Sequence, residues 1–231
     1  MDQSKGKSDR GFVADIDEVR YTSKSTGELS DLLKSQVAIE RTVAARILST
    51  RTEALTVEFL LAALKMEQKL YPKLELCHSL AKLEILSVPG LVKQLGTVGK
   101  NQHSTVSIEP FKKKSYPLPR DIAARTLIRI GVVALPALCD VLQGKEILKI
   151  SEAIDAIGFI CYQNPQQKYL EPLLDCYTKY PSSDLIRWKI LRAMSAFPAS
   201  LPFLEEQLLI EINPAIIQEI KRSIRLAKCK V

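Results

Sequence analysis

A helical pattern of apolar residues recurs six times along this chain of 231 residues. Its template is the spacing i, i+3, i+4, i+7, which places apolar side chains on one face of an α-helix. At least three of its four places are filled when it starts at residues 29, 57, 88, 135, 170 and 201. A second helical stretch follows each of these, at about 37–50, 71–84, 119–130, 146–162, 183–197 and 214–228. The sequence therefore predicts six helix pairs and an all-α fold.

The spacing of the six helix pairs is short and regular, apart from one step. Successive starts are 28, 31, 47, 35 and 31 residues apart, and the shorter steps leave room only for tight corners. Prolines in the first turn of first helices and glycines after helix ends support these boundaries. They are Pro89, Pro136, Pro172, Pro202, Gly96, Gly131 and Gly144. Because one pair cannot bury its apolar face alone, neighbouring pairs must stack, and the predicted architecture is a right-handed α-solenoid.

The pattern is most complete in "PLPRDIAARTLIRIGVVALPALCDVLQG", residues 117–144. This stretch resembles the short HEAT repeat first described in phycobilisome lyases, which runs P-x-V-R-x-x-A-A-x-A-L-G-x-I-G and then x-P-A-L-x-x-L-L. The match is carried by Arg120, Ala123, Ala124, Leu127, Ile130, Gly131, Pro136, Ala137, Leu138 and Leu142. The resemblance is strong over 115–144, moderate over 27–95 and weaker over 166–228. It implies an architecture shared by many unrelated binding proteins and does not by itself imply a function.

A six-residue motif within that stretch recurs elsewhere in the chain. "RTVAAR" at 41–46 echoes "RDIAAR" at 120–125, and Arg187 and Arg192 keep the same five-residue spacing. Small alanines on a second helix allow the next helix to approach closely. We expect the arginine beside them to reach helix-end carbonyls or an acidic group of the adjacent repeat.

The one long step contains an insertion, "GTVGKNQHSTVSIEPFKKKSYPL", residues 96–118. Loops this long inside compact folds are usually functional or disordered, and insertions in solenoids often project from the binding face. The insertion therefore supplies candidate partner-binding residues: His103, Phe111, Lys112, Lys113, Lys114 and Tyr116. The alternative is a solvated surface loop whose Phe111 and Tyr116 fix it to the core. We expect a polar arm or cap at residues 1–26, the cap formed by Phe12–Ile16, and a HEAT-like repeat domain at 27–231.

Arginines recur on the predicted second helices, and four of them join the candidate site: Arg120, Arg125, Arg187 and Arg192. The resemblance implies that second helices line the concave side, where several arginines would form a positive stripe suited to an acidic peptide or to phosphates. The sequence thus predicts a non-enzymatic scaffold that binds a protein or peptide through its concave face and the 96–118 loop. The alternative is a nucleic-acid-binding module using the basic stripe. The net charge of +7 permits both.

Several other classes of protein lack support in the sequence. His78 and His103 are the only histidines, and no P-loop, H-E-x-x-H motif or nucleophile elbow occurs. Trp188 lies in an apolar helix and is expected in the core. Five widely spaced cysteines form neither a disulfide framework nor a zinc site. No run of about 18 apolar residues occurs, and the polar start lacks the apolar stretch of a secretory signal. We therefore expect no enzymatic activity, cofactor, metal, membrane or small-molecule substrate, and a cytoplasmic location.

Overall fold

The computed structural model describes residues 10–13, 18–107 and 115–230, and within them the chain is all-helical, as predicted, without a β-strand. It divides into two compact units between Gln94 and Leu95. The N-terminal unit contains α1 (Thr26–Leu32), α2 (Ala38–Leu48), α3 (Ala54–Met66), α4 (Leu70–Lys82) and α5 (Val88–Gln94). The C-terminal unit contains α6 (Ile122–Ile130), α7 (Leu135–Leu142), α8 (Ile147–Gln163), α9 (Leu170–Lys179), α10 (Asp184–Ala193), α11 (Leu201–Ile210) and α12 (Pro214–Lys228).

The helices alternate as the apolar pattern predicts, with odd-numbered first helices and even-numbered second helices. In the N-terminal unit the second helices α2 and α4 pack on each other, and the first helices α1, α3 and α5 follow in the same order. In the C-terminal unit α6, α8, α10 and α12 pack in series, and α7 contacts α9. Each unit is therefore built in layers of first and second helices. The division between the units lies inside the third predicted pair, between α5 and α6.

Capping side chains mark where the second helices α6, α10 and α12 begin. Asp121 accepts a hydrogen bond from the backbone N–H of Ala124 at 2.7 Å and thereby caps α6. Ser183 and Asn213 cap α10 and α12 in the same way. Gly131 ends α6 with φ +82°, a left-handed conformation that residues with a side chain rarely adopt.

Burial repeats in register on three second helices. The pairs Ala44–Ala45, Ala123–Ala124 and Ile190–Leu191 are fully buried in α2, α6 and α10. An arginine comes three residues before each pair and is more exposed than the pair. The repeated motif aligns these arginines, but their burial differs, because Arg41 and Arg187 are half-buried and Arg120 is exposed.

Additional segments cover the second helices on their outer side. Every residue from 150 to 158 of α8 is buried, so this helix is enclosed all around its circumference. Residues of the 96–118 loop form part of that cover in the C-terminal unit. In the N-terminal unit, the carbonyl of Gly11 accepts a hydrogen bond from the Thr42 hydroxyl of α2 at 2.7 Å, and Val13 is buried. Phe12 is about half exposed, and its ring meets that of Tyr71 edge-on at 5.4 Å between centroids. The cap predicted at Phe12–Ile16 stays a prediction, and its residues 14–16 lie outside the described residues.

One segment, Ile122–Leu142, is long and apolar enough to cross a membrane by length and composition alone. It comprises α6, a 3-10 turn at Gly131–Ala134 and α7. Both helices pack against α8, and Arg125 and Arg129 are exposed. Of the most apolar window of this segment, 39% is buried within the structure.

Candidate partner-binding surface

The residues singled out by the sequence fall into three groups. His103, Tyr116 and Arg192 are buried in the C-terminal unit. Arg187 is half-buried, whereas Arg120 and Arg125 are exposed. The remaining candidates lie outside the described residues: Phe111, Lys112, Lys113 and Lys114.

Two of the repeated arginines fasten one helix pair to the next. Arg41 forms a bidentate ion pair with Glu67, with Nε–Oε2 at 2.6 Å and Nη2–Oε1 at 3.0 Å. Glu67 follows the last residue of α3, and its Oε1 also accepts hydrogen bonds from the backbone N–H groups of Gln68 and Lys69. Burial opposes the charged form of Glu67, but the hydrogen bond from Arg41 prevails and lowers its pKa.

The same corner recurs in the C-terminal unit. Arg187 forms an ion pair with Glu211, which follows the last residue of α11. Oε1 of Glu211 accepts hydrogen bonds from the backbone N–H groups of Ile212 and Asn213, each at 2.9 Å. The sequence predicts that the arginine beside the alanines reaches helix-end carbonyls or an acidic group next along the chain. Arg41 makes such a contact with Glu67, and Arg187, which has no alanines beside it, makes the corresponding contact with Glu211.

Arg120 lacks the corner carboxylate that its two counterparts bind. The residue after α7, at the position of Glu67 and Glu211, is Gln143. Arg120 is exposed, and within the described part of the chain it makes no hydrogen bond and has no carboxylate partner. Among the described residues, Arg120 therefore differs from Arg41 and Arg187 in having an exposed guanidinium group without an ion-pair partner.

Two further arginines on α6 are exposed beside it. Arg125 donates from Nε to the carbonyl of Pro119 at 2.6 Å, which orients its guanidinium. Arg129, which the predicted site omits, lies one turn farther along α6 and on the same side of the helix. We refer to Arg120, Arg125 and Arg129 as the α6 arginine face. Sequence alone could not separate them from Arg187 and Arg192, because the difference lies in which partners the fold brings to each arginine.

Asp121 connects the start of α6 to the loop. Besides capping the helix, its carboxylate accepts hydrogen bonds from the backbone N–H of Gly96 at 3.1 Å and from Nε2 of Gln102 at 2.9 Å. Burial raises its pKa, although these hydrogen bonds favour the charged form. One buried side chain therefore joins the start of α6 to the first part of the loop.

A network of buried charges lies between the second helices α8, α10 and α12. Its cations are Lys189, Arg192 and Arg222, and its anions are Glu152, Asp155 and Glu219. Nζ of Lys189 lies 2.7 Å from Glu152 Oε1 and 2.9 Å from Asp155 Oδ2. Arg192 continues the chain of charges to Asp155 and Glu219, and Arg222 binds Glu219 at 2.7 Å. We call these six residues the buried charge network. It joins three helices through ion pairs and leaves Arg192 inside the structure rather than on a binding surface.

His103 of the loop packs next to this network. Its ring meets Trp188 edge-on at 5.2 Å between centroids, and the guanidinium of Arg192 lies 3.9 Å from the Trp188 ring centroid. Trp188 is almost fully buried, as the sequence predicts. Burial, followed by the positive charges of Arg120, Arg192 and Lys189, lowers the pKa of His103 to about 4. His103 is therefore neutral at physiological pH and acts as a packing residue.

The stability of the C-terminal unit should decrease as the pH falls from 6.5 towards about 4, in part because of His103. In this window the unfolded chain binds a proton at His103 and the folded chain does not, so acid favours unfolding. His103→Phe keeps an aromatic ring against Trp188 and removes the titration. Urea unfolding at several pH values should show the variant losing less stability than the wild type over this window. Parallel pH profiles for the two chains would contradict the buried, neutral state of His103.

The charged groups of this surface are arginine guanidinium groups. Among residues 10–13, 18–107 and 115–230, no three His, Cys, Asp or Glu side chains are grouped so as to hold a metal ion. The α6 arginine face offers planar guanidinium groups, which bind carboxylates and phosphates through paired hydrogen bonds. The geometry is thus suited to an anionic partner.

No protein-family model matches the chain, and no curated protein matches it. Among solved structures, an engineered protein determined by the Northeast Structural Genomics Consortium is similar. Its TM-score is 0.41 at 16% sequence identity, over 89% of this chain and 97% of that chain. A likeness of this degree carries no argument about fold or function, so the function proposed below rests on the residues of this chain.

Proposed function

We propose that this chain is a non-enzymatic scaffold, a solenoid of HEAT-like helix pairs, that binds an acidic protein or peptide. Binding takes place at the α6 arginine face together with the adjoining 96–118 loop, on the side of the second helices. The serial packing of α6, α8, α10 and α12 supports the solenoid. The matched burial of α2, α6 and α10 supports equivalent repeats.

Arg120 is the observation that carries this proposal. At the equivalent positions Arg41 and Arg187 each bind a glutamate that follows the next first helix. Arg120 is an arginine at the same position, but the residue that follows the next first helix is Gln143 rather than glutamate. Arg120 is exposed. A carboxylate of another molecule can take the place that Glu67 and Glu211 occupy at the other two corners.

A cytoplasmic location belongs to the same proposal. None of the five cysteines, all of which lie among the described residues, forms a disulfide: Cys77, Cys139, Cys161, Cys176 and Cys229. Reduced cysteines are typical of cytosolic proteins, in which glutathione and thioredoxin maintain thiols. Burial raises the pKa of Cys161 to about 12, so this thiol is inert and behaves as a small apolar residue.

Fluorescence anisotropy with a labelled peptide of alternating glutamate and serine tests the proposal. Reversing the arginine face, with Arg120→Glu, Arg125→Glu and Arg129→Glu together, should weaken binding by about tenfold, because three exposed ion pairs at about 0.5 kcal/mol each are lost. The matched control reverses Lys221, Arg225 and Lys228, which are exposed on α12, and changes the net charge equally. The control should bind almost as the wild type does. Equal losses in both variants would show that only net charge attracts the peptide and would refute the site.

The contribution of the loop is tested separately by Lys112→Ala, Lys113→Ala and Lys114→Ala together. This variant should bind the acidic peptide more weakly at unchanged thermal stability. The nucleic-acid alternative predicts micromolar binding of single-stranded DNA with a steep dependence on salt, about one unit of log–log slope for each phosphate contacted. DNA binding that survives about 150 mM salt and is lost in the arginine-face variant would replace the protein partner with a nucleic acid.

A further inference from the structure

A short proline-containing segment of the loop lies in the C-terminal unit against the second helices. Residues 115–119 read Ser-Tyr-Pro-Leu-Pro, and neither a helix nor a strand includes them. Three of these residues are buried, namely Tyr116, Pro117 and Pro119, whereas Ser115 and Leu118 are exposed. We call residues 115–119 the proline strap.

Tyr116 occupies a fitted seat on α8. Its ring packs edge-on against Phe159 at 6.0 Å between centroids and lies 5.7 Å from the ring of Tyr162. A Cβ atom placed on Gly158 would lie 2.1 Å from the Tyr116 hydroxyl oxygen, so only glycine leaves room for the tyrosine. The seat thus combines two aromatic rings with a notch in the helix surface.

Two backbone carbonyls of the strap also accept hydrogen bonds from arginine side chains. Nη2 of Arg222 on α12 donates to the carbonyl of Ser115 at 2.5 Å, and Arg125 on α6 donates to that of Pro119. Side chains from two second helices therefore hold carbonyls on either side of Tyr116. An aromatic anchor between bound carbonyls is the arrangement by which grooves bind extended peptides.

The sequence of the strap favours an extended shape before it binds. Pro117 and Pro119 fix their own φ angles, and each proline restricts the residue before it to extended conformations. Tyr116 and Leu118 are those residues. A peptide of the same sequence would therefore lose little conformational entropy on binding.

The surface of the second helices beneath the proline strap can be exposed to solvent without leaving a charged side chain unpaired. In the buried charge network each cation faces a carboxylate on α8 or α12, so removing the strap leaves no charge without a partner. Burial of ion pairs carries a desolvation penalty, which opening would relieve. Detachment of the strap is thus opposed by the loss of apolar contacts such as those of Tyr116 and by the loss of the hydrogen bonds from Arg222 and Arg125.

We infer that the second-helix face of the C-terminal unit is a docking groove for an extended peptide in which a tyrosine is followed by alternating prolines, and that the proline strap occupies it in cis. This inference goes beyond the acidic partner proposed above. It depends on the packing of Tyr116 against α8, and its test uses a different peptide. Either proposal can therefore be refuted while the other stands.

The test measures binding of a fluorescein-labelled Ser-Tyr-Pro-Leu-Pro-Arg peptide to the full chain. In the wild type the strap competes at an effective concentration on the order of millimolar, whereas Tyr116→Ala empties the seat. The alanine variant should therefore bind the peptide at least about tenfold more tightly than the wild type. Tyr116→Phe is the matched control, because its ring keeps the seat and the buried hydroxyl has no hydrogen-bond partner among the described residues. It should bind as weakly as the wild type.

Tyrosine nitration of the wild type, detected by mass spectrometry, decides the question if Tyr116→Ala does not fold. The ring of Tyr116 is buried, and saturating peptide should make it reactive. Absence of peptide binding to a folded alanine variant, or unchanged nitration of Tyr116 in the wild type, would overturn the inference. A wild-type dimer that Tyr116→Ala dissociates would identify the occupant as the strap of a second copy and would overturn the assignment in cis.

Discussion

Replacing Lys189 by alanine should destabilise the C-terminal unit by about 3–5 kcal/mol. Lys189 is completely buried and its ammonium group contacts Glu152, Asp155 and the hydroxyl of Ser151. Removing it leaves two carboxylates close together without their cation in a medium that solvates them poorly. Breaking one member of a buried ion network is far more costly than losing a surface pair.

Urea unfolding at neutral pH measures this loss. Lys149→Ala is the matched control, since Lys149 lies on α8 and pairs with the exposed Glu146 at 2.7 Å. It should cost less than about 1 kcal/mol. A similarly small effect for Lys189→Ala would mean that water enters the buried charge network.

The pH dependence of the Lys189→Ala variant provides a second check on the same network. Burial raises the pKa of Glu152, and in the wild type the charge of Lys189 opposes that rise. Without Lys189 the folded variant takes up protons at these carboxylates more readily than the unfolded chain does. The deficit of the variant relative to the wild type should therefore shrink as the pH is lowered from 7 towards 5. A constant deficit would show that the carboxylates find another cation.

The helix pairs could be predicted because their signal is local. Apolar periodicity, proline at helix starts and glycine after helix ends operate within a few residues of one another. The remaining differences are at boundaries. The predicted second helix at 119–130 begins only at Ile122, because Pro119 precedes the capping Asp121. The predicted helix at 183–197 ends at Ala193 and continues as a 3-10 turn over Met194–Ala196.

The surroundings of the candidate residues could not be predicted, because they depend on distant partners. Arg222 binds the carbonyl of Ser115, 107 residues earlier in the chain. Nothing near Tyr116 in the sequence reveals that Gly158 leaves a notch for it. Arg120 and Arg187 occupy equivalent positions, and their difference arises from Gln143 and Glu211 at the following corners. The sequence identified arginines of one type, and the fold assigned them different roles.

The buried charge network illustrates a related limit. Lys189, Glu152 and Asp155 look like ordinary helix-surface residues in the sequence, because charged side chains are rarely fully buried. Their burial depends on the packing of α8, α10 and α12 on one another, which brings together residues far apart in the sequence. The interpretation of the 96–118 loop as a segment fixed to the core by Tyr116 agrees with the burial of this residue.

Gly158→Ala should destabilise the chain by about 1–3 kcal/mol, although alanine usually stabilises a helix relative to glycine. The new methyl group would lie 2.1 Å from the Tyr116 hydroxyl oxygen and 2.8 Å from Cβ of Ala193 on α10. Ala193 cannot rotate away, so α8 and α10 must separate or the proline strap must lift. Gly27→Ala on α1 is the control, because its Cβ would meet only Ser25 Oγ, at 4.0 Å. It should leave stability unchanged or raise it slightly.

A double-mutant cycle with Tyr116→Ala separates the two contacts of that methyl group. If the clash with the strap dominates, Gly158→Ala should cost less in the Tyr116→Ala background than in the wild type, with a coupling energy of about 0.5–3 kcal/mol. The part of the cost that remains belongs to the approach of α8 to α10. Urea midpoints and slopes for the four chains provide the comparison. Additive losses would place the whole clash between the helices, and a Gly158→Ala chain as stable as the wild type would show that Tyr116 does not occupy its seat in solution.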